Sequence, residues 1–149
     1  MEIAKTYLIH KQNLSNRLNQ IFSTVVSFYS HKNEIYLQFD NGIETNPKFS
    51  GLLTAKIFLD PHHYLSLQIF SFDNKQEKIE RLFPEPIIPT WEFLSQKASL
   101  HPCVEWISHW PKEKKDFPSI IRCRFNEETF VFFLPTEKPT VTYTSLGSR

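Results

Sequence analysis

The densest collection of reactive side chains lies in LHPCVEWISHWPKEKKDFP, Leu100 to Pro118, where His101, Cys103, Glu105 and His109 stand among Trp106, Trp110 and three prolines. Two chemistries are open to such a set. If Pro102 begins a helix, as its missing N–H allows, Cys103 falls in the first turn, where unpaired amides and the helix dipole favour a thiolate. His101 or His109 would then serve as the base, with Glu105 orienting it, in a thiol-dependent enzyme. The second chemistry is metal ligation. His101, Glu105 and His109 recur at spacings of four and share one helical face, and an extended chain would align them with Cys103 as well. Neither pattern is a zinc spacing, and the sequence holds no Cys-x-x-Cys and no His-Glu-x-x-His, so no metal and no cofactor are expected.

The same region supports a non-chemical reading. Trp91, Phe93, Trp106 and Trp110 can form an aromatic contact surface with Arg122 and Arg124 on its rim, or they can anchor a core. Lys112, Lys114 and Lys115, added to the two arginines, make at most a modest basic patch for phosphates. Glu113 and Asp116 interrupt it. His62 and His63 sit in a turn and offer no triad geometry. With only Gly42, Gly51 and Gly147 as glycines there is no phosphate-cradling loop, and no nucleophile elbow or paired-carboxylate motif occurs.

The elements that must position these residues follow from periodicity. Leu14, Leu18, Ile21, Val25 and Phe28 recur at spacings of four and three, which predicts a helix that ends near Ser23, where β-branched and aromatic residues begin. Glu34 to Asp40 alternates with period two and closes in Asp40-Asn41-Gly42. Leu52 to Leu59 and Tyr64 to Phe72 read as a hairpin about Asp60 to His63. Ile120 to Phe125 and Thr129 to Leu134 form another about Asn126 to Glu128, and Thr140 to Thr144 offers a last strand. Between them the proline-rich Phe83 to Pro89 leads to two predicted short helices, from an N-cap at Thr90 to about Ala98 and from His101-Pro102 to Trp110. The expected fold is α+β: an antiparallel sheet of about six to seven strands with an N-terminal helix and a central helical insert (about 90–110) packed on it.

Composition bounds the rest. The 149 residues, 40% hydrophobic and 15% aromatic, suit one globular domain over 1–149, and a net charge of +1 gives no global field for nucleic acid or acidic lipid. Two cysteines are too few for a disulfide framework. No secretory leader and no membrane-spanning run is recognisable, so a cytoplasmic protein is the expectation. Its expected function is that of a non-enzymatic protein-interaction module, such as an accessory factor or chaperone, with a protein partner and room for self-association. The thiol enzyme is the alternative, and a nucleic-acid accessory protein a third.

Overall fold

The computed structural model describes residues 2–97 and 103–135. The chain opens with helix α1, Glu2–Ser23, and continues through β1 (Ser27–His31), β2 (Glu34–Asp40), β3 (Leu52–Leu59), β4 (Leu65–Phe70), β5 (Glu77–Arg81), β6 (Thr90–Lys97), β7 (Cys103–Ile107), β8 (Ile120–Phe125) and β9 (Glu128–Phe133). The α+β class expected from the sequence is what the fold shows. Two of its details are corrected.

The strands form two antiparallel sheets rather than one: five strands in the order β1-β2-β3-β4-β5 and four in the order β7-β6-β8-β9. Strand β5, sequence EKIER, escapes pattern reading because it is a charged edge strand with no apolar alternation. After it the proline-rich connector carries the chain to the second sheet. Leu82 and Ile87 pin that connector by donating their amides to the carbonyls of Leu65 and His63, each at 2.8 Å, while Leu82, Phe83 and Ile87 bury their side chains.

The helical insert over about 90–110 is instead the strand pair β6 and β7, in register from Phe93 opposite Ile107 to Lys97 opposite Cys103. Trp91, Phe93 and Ser95 point to the core and Glu92 and Leu94 point away, so period two is present. It is masked because Leu94, and Trp106 beside it in β7, add apolar residues to the second face. The expected final strand, Thr140 to Thr144, lies outside the described residues.

Helix α1 forms where no proline or glycine interrupts 22 residues, and it ends at Ser23 as expected. Leu14, Leu18, Ile21 and Phe22 are its buried stripe. Val25 and Phe28 continue the helical spacing but fall beyond the end, Phe28 on β1. Thr24 fixes the exit: its hydroxyl donates to the Gln20 carbonyl at 2.9 Å and accepts the Asp40 amide at 3.1 Å. Two-residue turns with both residues at positive φ, Lys32-Asn33 and Asn126-Glu127, close the β1–β2 and β8–β9 hairpins, matching the twist of the strands they join.

The core lies between the inner faces of the two sheets and the buried stripe of α1. Phe22 is its hub, with its ring 6.3 Å from Phe28, 6.3 Å from Trp91 and 5.4 Å from Phe132, so one helical residue touches both sheets. A polar clamp reinforces the joint. Arg17 donates to both Glu80 oxygens at 2.9 and 3.1 Å and to Asn41 Oδ1 at 2.9 Å, binding α1 to β5 and to the end of β2.

Candidate functional site

Antiparallel pairing aligns side chains on one face into rows that cross the strands, and the register of the four-stranded sheet sets one such row without ambiguity. Trp106 stands opposite Leu94, Leu94 opposite Ile120, and Ile120 opposite Phe133. All four point away from the core, whose side is taken by Phe93, Ile121 and Phe132. The row is therefore apolar across all four strands. Phe133 is 67% exposed, its neighbour Val131 is 45% and Trp106 is 36%, while Leu94 and Ile120 are half-buried between them. Large apolar side chains set this close together on a surface mark a contact site more often than scattered ones do.

Next to the apolar row stands a charged one, Glu92 opposite Arg122 opposite Val131. The guanidinium of Arg122 lies 3.9 Å from the centre of the Trp106 ring and its Nε donates to Glu92 Oε1 at 3.1 Å. Arg124 donates to the same oxygen, from Nε at 3.0 Å and also from Nη2. Hydrogen bonds from Arg122 and then Arg124 hold the Glu92 carboxyl below the usual carboxylate range, against a smaller opposing effect of burial. A single carboxylate is thus shared by two arginines, and the indole face is held by one of them. The arrangement is mostly apolar and positive at one side.

Of the residues named from the sequence, the structure brings Trp106, Arg122 and Arg124 together on this face. Trp91, Phe93 and Trp110 are elsewhere: they are buried, so these three side chains serve the core and not the surface. Trp110 has a specific structural task. Its amide donates to Ser30 Oγ at 2.7 Å, its carbonyl accepts the Ser30 amide at 2.8 Å, and its indole Nε1 donates to the Asp116 carbonyl at 3.0 Å. The segment after β7 is thereby fastened to the edge of β1, bridging the two sheets.

The helix that the thiol reading assumed at Cys103 is not formed. Cys103 begins a β-strand, so no helix N-terminus stands there to favour a thiolate. The side chain of Cys103 and all of His101 lie outside the described residues. Glu105 and His109 are exposed, and His109 Nδ1 lies 3.5 Å from Ser30 Oγ. Cys123 is fully buried, and burial pushes its thiol up to about 12, which leaves it inert at neutral pH. His62 and His63 are exposed in the β3–β4 turn, and His63 borders an open cleft of about 450 Å³ with Pro86, Ile87, Ile88 and Asn126. Lys112 and Lys114 lie over different rings, Tyr29 at 5.4 Å and Trp110 at 4.6 Å.

Leu94, Ile120, Val131 and Phe133 were not singled out by sequence reasoning. Their signal was the run TFVFF of β9, where Val131 and Phe133 are as apolar as the inward Phe130 and Phe132. Comparison with protein-family models and with curated protein sequences gives no match. Among the described residues no helix is long and apolar enough to cross a membrane.

Proposed function

We propose that this chain is a non-enzymatic protein-binding module whose contact surface is the outer face of the four-stranded sheet. One observation carries the reading: the row Trp106, Leu94, Ile120, Phe133 runs across every strand of that sheet with both of its ends open to solvent. Arg122 and Arg124 stand at the rim, and their shared pairing to Glu92 holds them in place before any partner arrives. Pre-ordered side chains lose less entropy on binding. An accessory-factor or chaperone role is the form such a module would take.

The test is a paired retention experiment from native extract. Wild-type chain is compared with Phe133→Ser and Val131→Ser, at two exposed positions outside the core. Proteins retained by the wild type should be lost from both variants, with unchanged circular dichroism. Identical retention by all three chains would refute the assignment of the face.

A further inference from the structure

Resting on that reading of the face, we propose that its occupant is an amphipathic α-helix of a partner protein that carries carboxylates along one flank. The dimensions come first. Neighbouring strands lie about 4.8 Å apart, so the three intervals from Trp106 to Phe133 span about 14 Å. A helix rises about 1.5 Å per residue, and about ten residues, close to three turns, cover that length. An apolar stripe at spacings of three and four would meet Trp106, the Leu94–Ile120 pair and Phe133 in succession. A strand would add to a sheet edge, whereas the apolar row lies on a face and crosses all four strands; in the five-stranded sheet both edges are also disfavoured, β1 by Trp110 and β5 by Glu77, Lys78, Glu80 and Arg81. Covering a sheet face is what helices do in α+β folds, and α1 lies against the opposite face of this sheet.

The charge follows from the neighbouring rows. On the outer face the charged side chains described are Glu92, Arg122 and Arg124, one carboxylate against two guanidiniums. Both arginines donate to Glu92 Oε1 alone in the contacts described, which leaves guanidinium N–H groups for an outside acceptor, and a carboxylate is the group their fork geometry fits best. Rows two residues apart along a strand are separated by about 6.7 Å, the offset from a helix axis at which flanking side chains project. A basic flank would meet like charge. A second copy of this chain packed face to face would set the same arginines against each other or against the apolar row.

The experiment titrates the full chain with two synthetic helical peptides of the same apolar stripe, one with glutamates on one flank and one with lysines, followed by calorimetry. The glutamate peptide should bind about tenfold tighter at low salt, the gap narrowing as salt is raised. Arg122→Gln with Arg124→Gln should shrink the gap to about threefold or less, and Phe133→Ser should weaken both peptides about tenfold or more. Equal affinity for the two peptides, or binding of neither, would overturn the proposal. If neither binds while Phe133→Ser still strips partners from extract, the helix falls and the face stands; if Phe133→Ser changes nothing, both fall. Self-association that sedimentation shows to be abolished by Phe133→Ser would identify a second copy and overturn the partner helix. Ile120 and Val131 methyl signals untouched by a soluble paramagnetic probe would show the chain covering its own face, with the same consequence.

Discussion

Trp106 and Trp110 are four residues apart, and a helix would stack them on one face with similar environments. In the structure they part company: Trp106 lies on β7 facing outward, and Trp110 lies beyond the strand with its ring buried. Truncating each to alanine therefore separates the two arrangements. Trp110→Ala removes a fully buried ring, its hydrogen bond to Asp116 and its contact with Phe93, whose ring centre is 6.5 Å away. A loss of about 3–5 kcal/mol is expected for such a truncation. Trp106→Ala removes a partly exposed ring and one arginine stack, for which about 1–2 kcal/mol is the right scale. At this chain length each kcal/mol lowers Tm by about 2–4 °C, so the melts should fall by about 6–20 °C for Trp110→Ala and about 2–8 °C for Trp106→Ala, with the first fall the larger by about threefold.

The assay is thermal and urea unfolding followed by far-ultraviolet circular dichroism, which does not depend on the tryptophans as reporters. Comparable losses for the two variants would refute the strand assignment, because only a shared helical face makes their burial alike. A larger loss for Trp106 would refute the outward orientation of the row. Binding should rank them the other way, with Trp106→Ala losing partners and the milder Trp110→Phe retaining them.

Three further outcomes follow from the same contacts. Phe22→Ala, at the ring cluster joining α1 to both sheets, should cost about 3–5 kcal/mol by urea denaturation, and Phe22→Leu markedly less; equal effects would mean the ring contacts carry no weight. Cys123 should resist alkylation at pH 8 until denaturant is added, since its thiol is buried and pushed up to about 12; rapid reaction in the folded Cys103→Ser chain would contradict its place in the core. Glu92 and Glu44 are held below the ordinary carboxylate value of 4.5 chiefly by hydrogen bonds from Arg122 and Lys78 respectively. Their stabilisation is complete above that pH and is lost as pH falls through the lowered folded values. The urea midpoint should drop on acidification below about pH 4.5, and Glu92→Gln should flatten part of that slope, by at most about 1 kcal/mol for a surface pair.

Legibility in the sequence depended on whether a segment keeps one polar face. β2, with Ile35, Leu37 and Phe39 inward and Tyr36 and Gln38 outward, was readable to the residue, and so was β8, whose Arg122 and Arg124 marked the wet side. β6 and β7 were misread because apolar residues fall on both sides of the strand, and a short run of that kind carries no decisive period. The division into two sheets was hidden for another reason: pairing partners are not encoded in turn length, and only the prolines of the connector hinted at a change of layer. For the site, arginines on an alternating strand gave Arg122 and Arg124, but Trp106 could not be told from Trp91 and Trp110. That distinction needs the register, which pairs Leu94 with Trp106 on the outside and Phe93 with Ile107 on the inside.

The misreading and the candidate site share one physical cause. In the five-stranded sheet the row that crosses the outer face is Tyr29, Tyr36, Lys56, Gln68 and Ile79, with polar or amphipathic side chains at its first four positions. Tyr36 there is stacked on Tyr29 and its hydroxyl donates to Glu34 at 2.6 Å, so even its aromatic face is satisfied within the sheet. The matching row of the four-stranded sheet is Trp106, Leu94, Ile120 and Phe133. Strands apolar on both faces belong to sheets covered on both faces. The pattern that made β6 and β7 look helical is therefore the pattern expected of a sheet covered on both faces, and it is this pattern on which the proposed binding face rests.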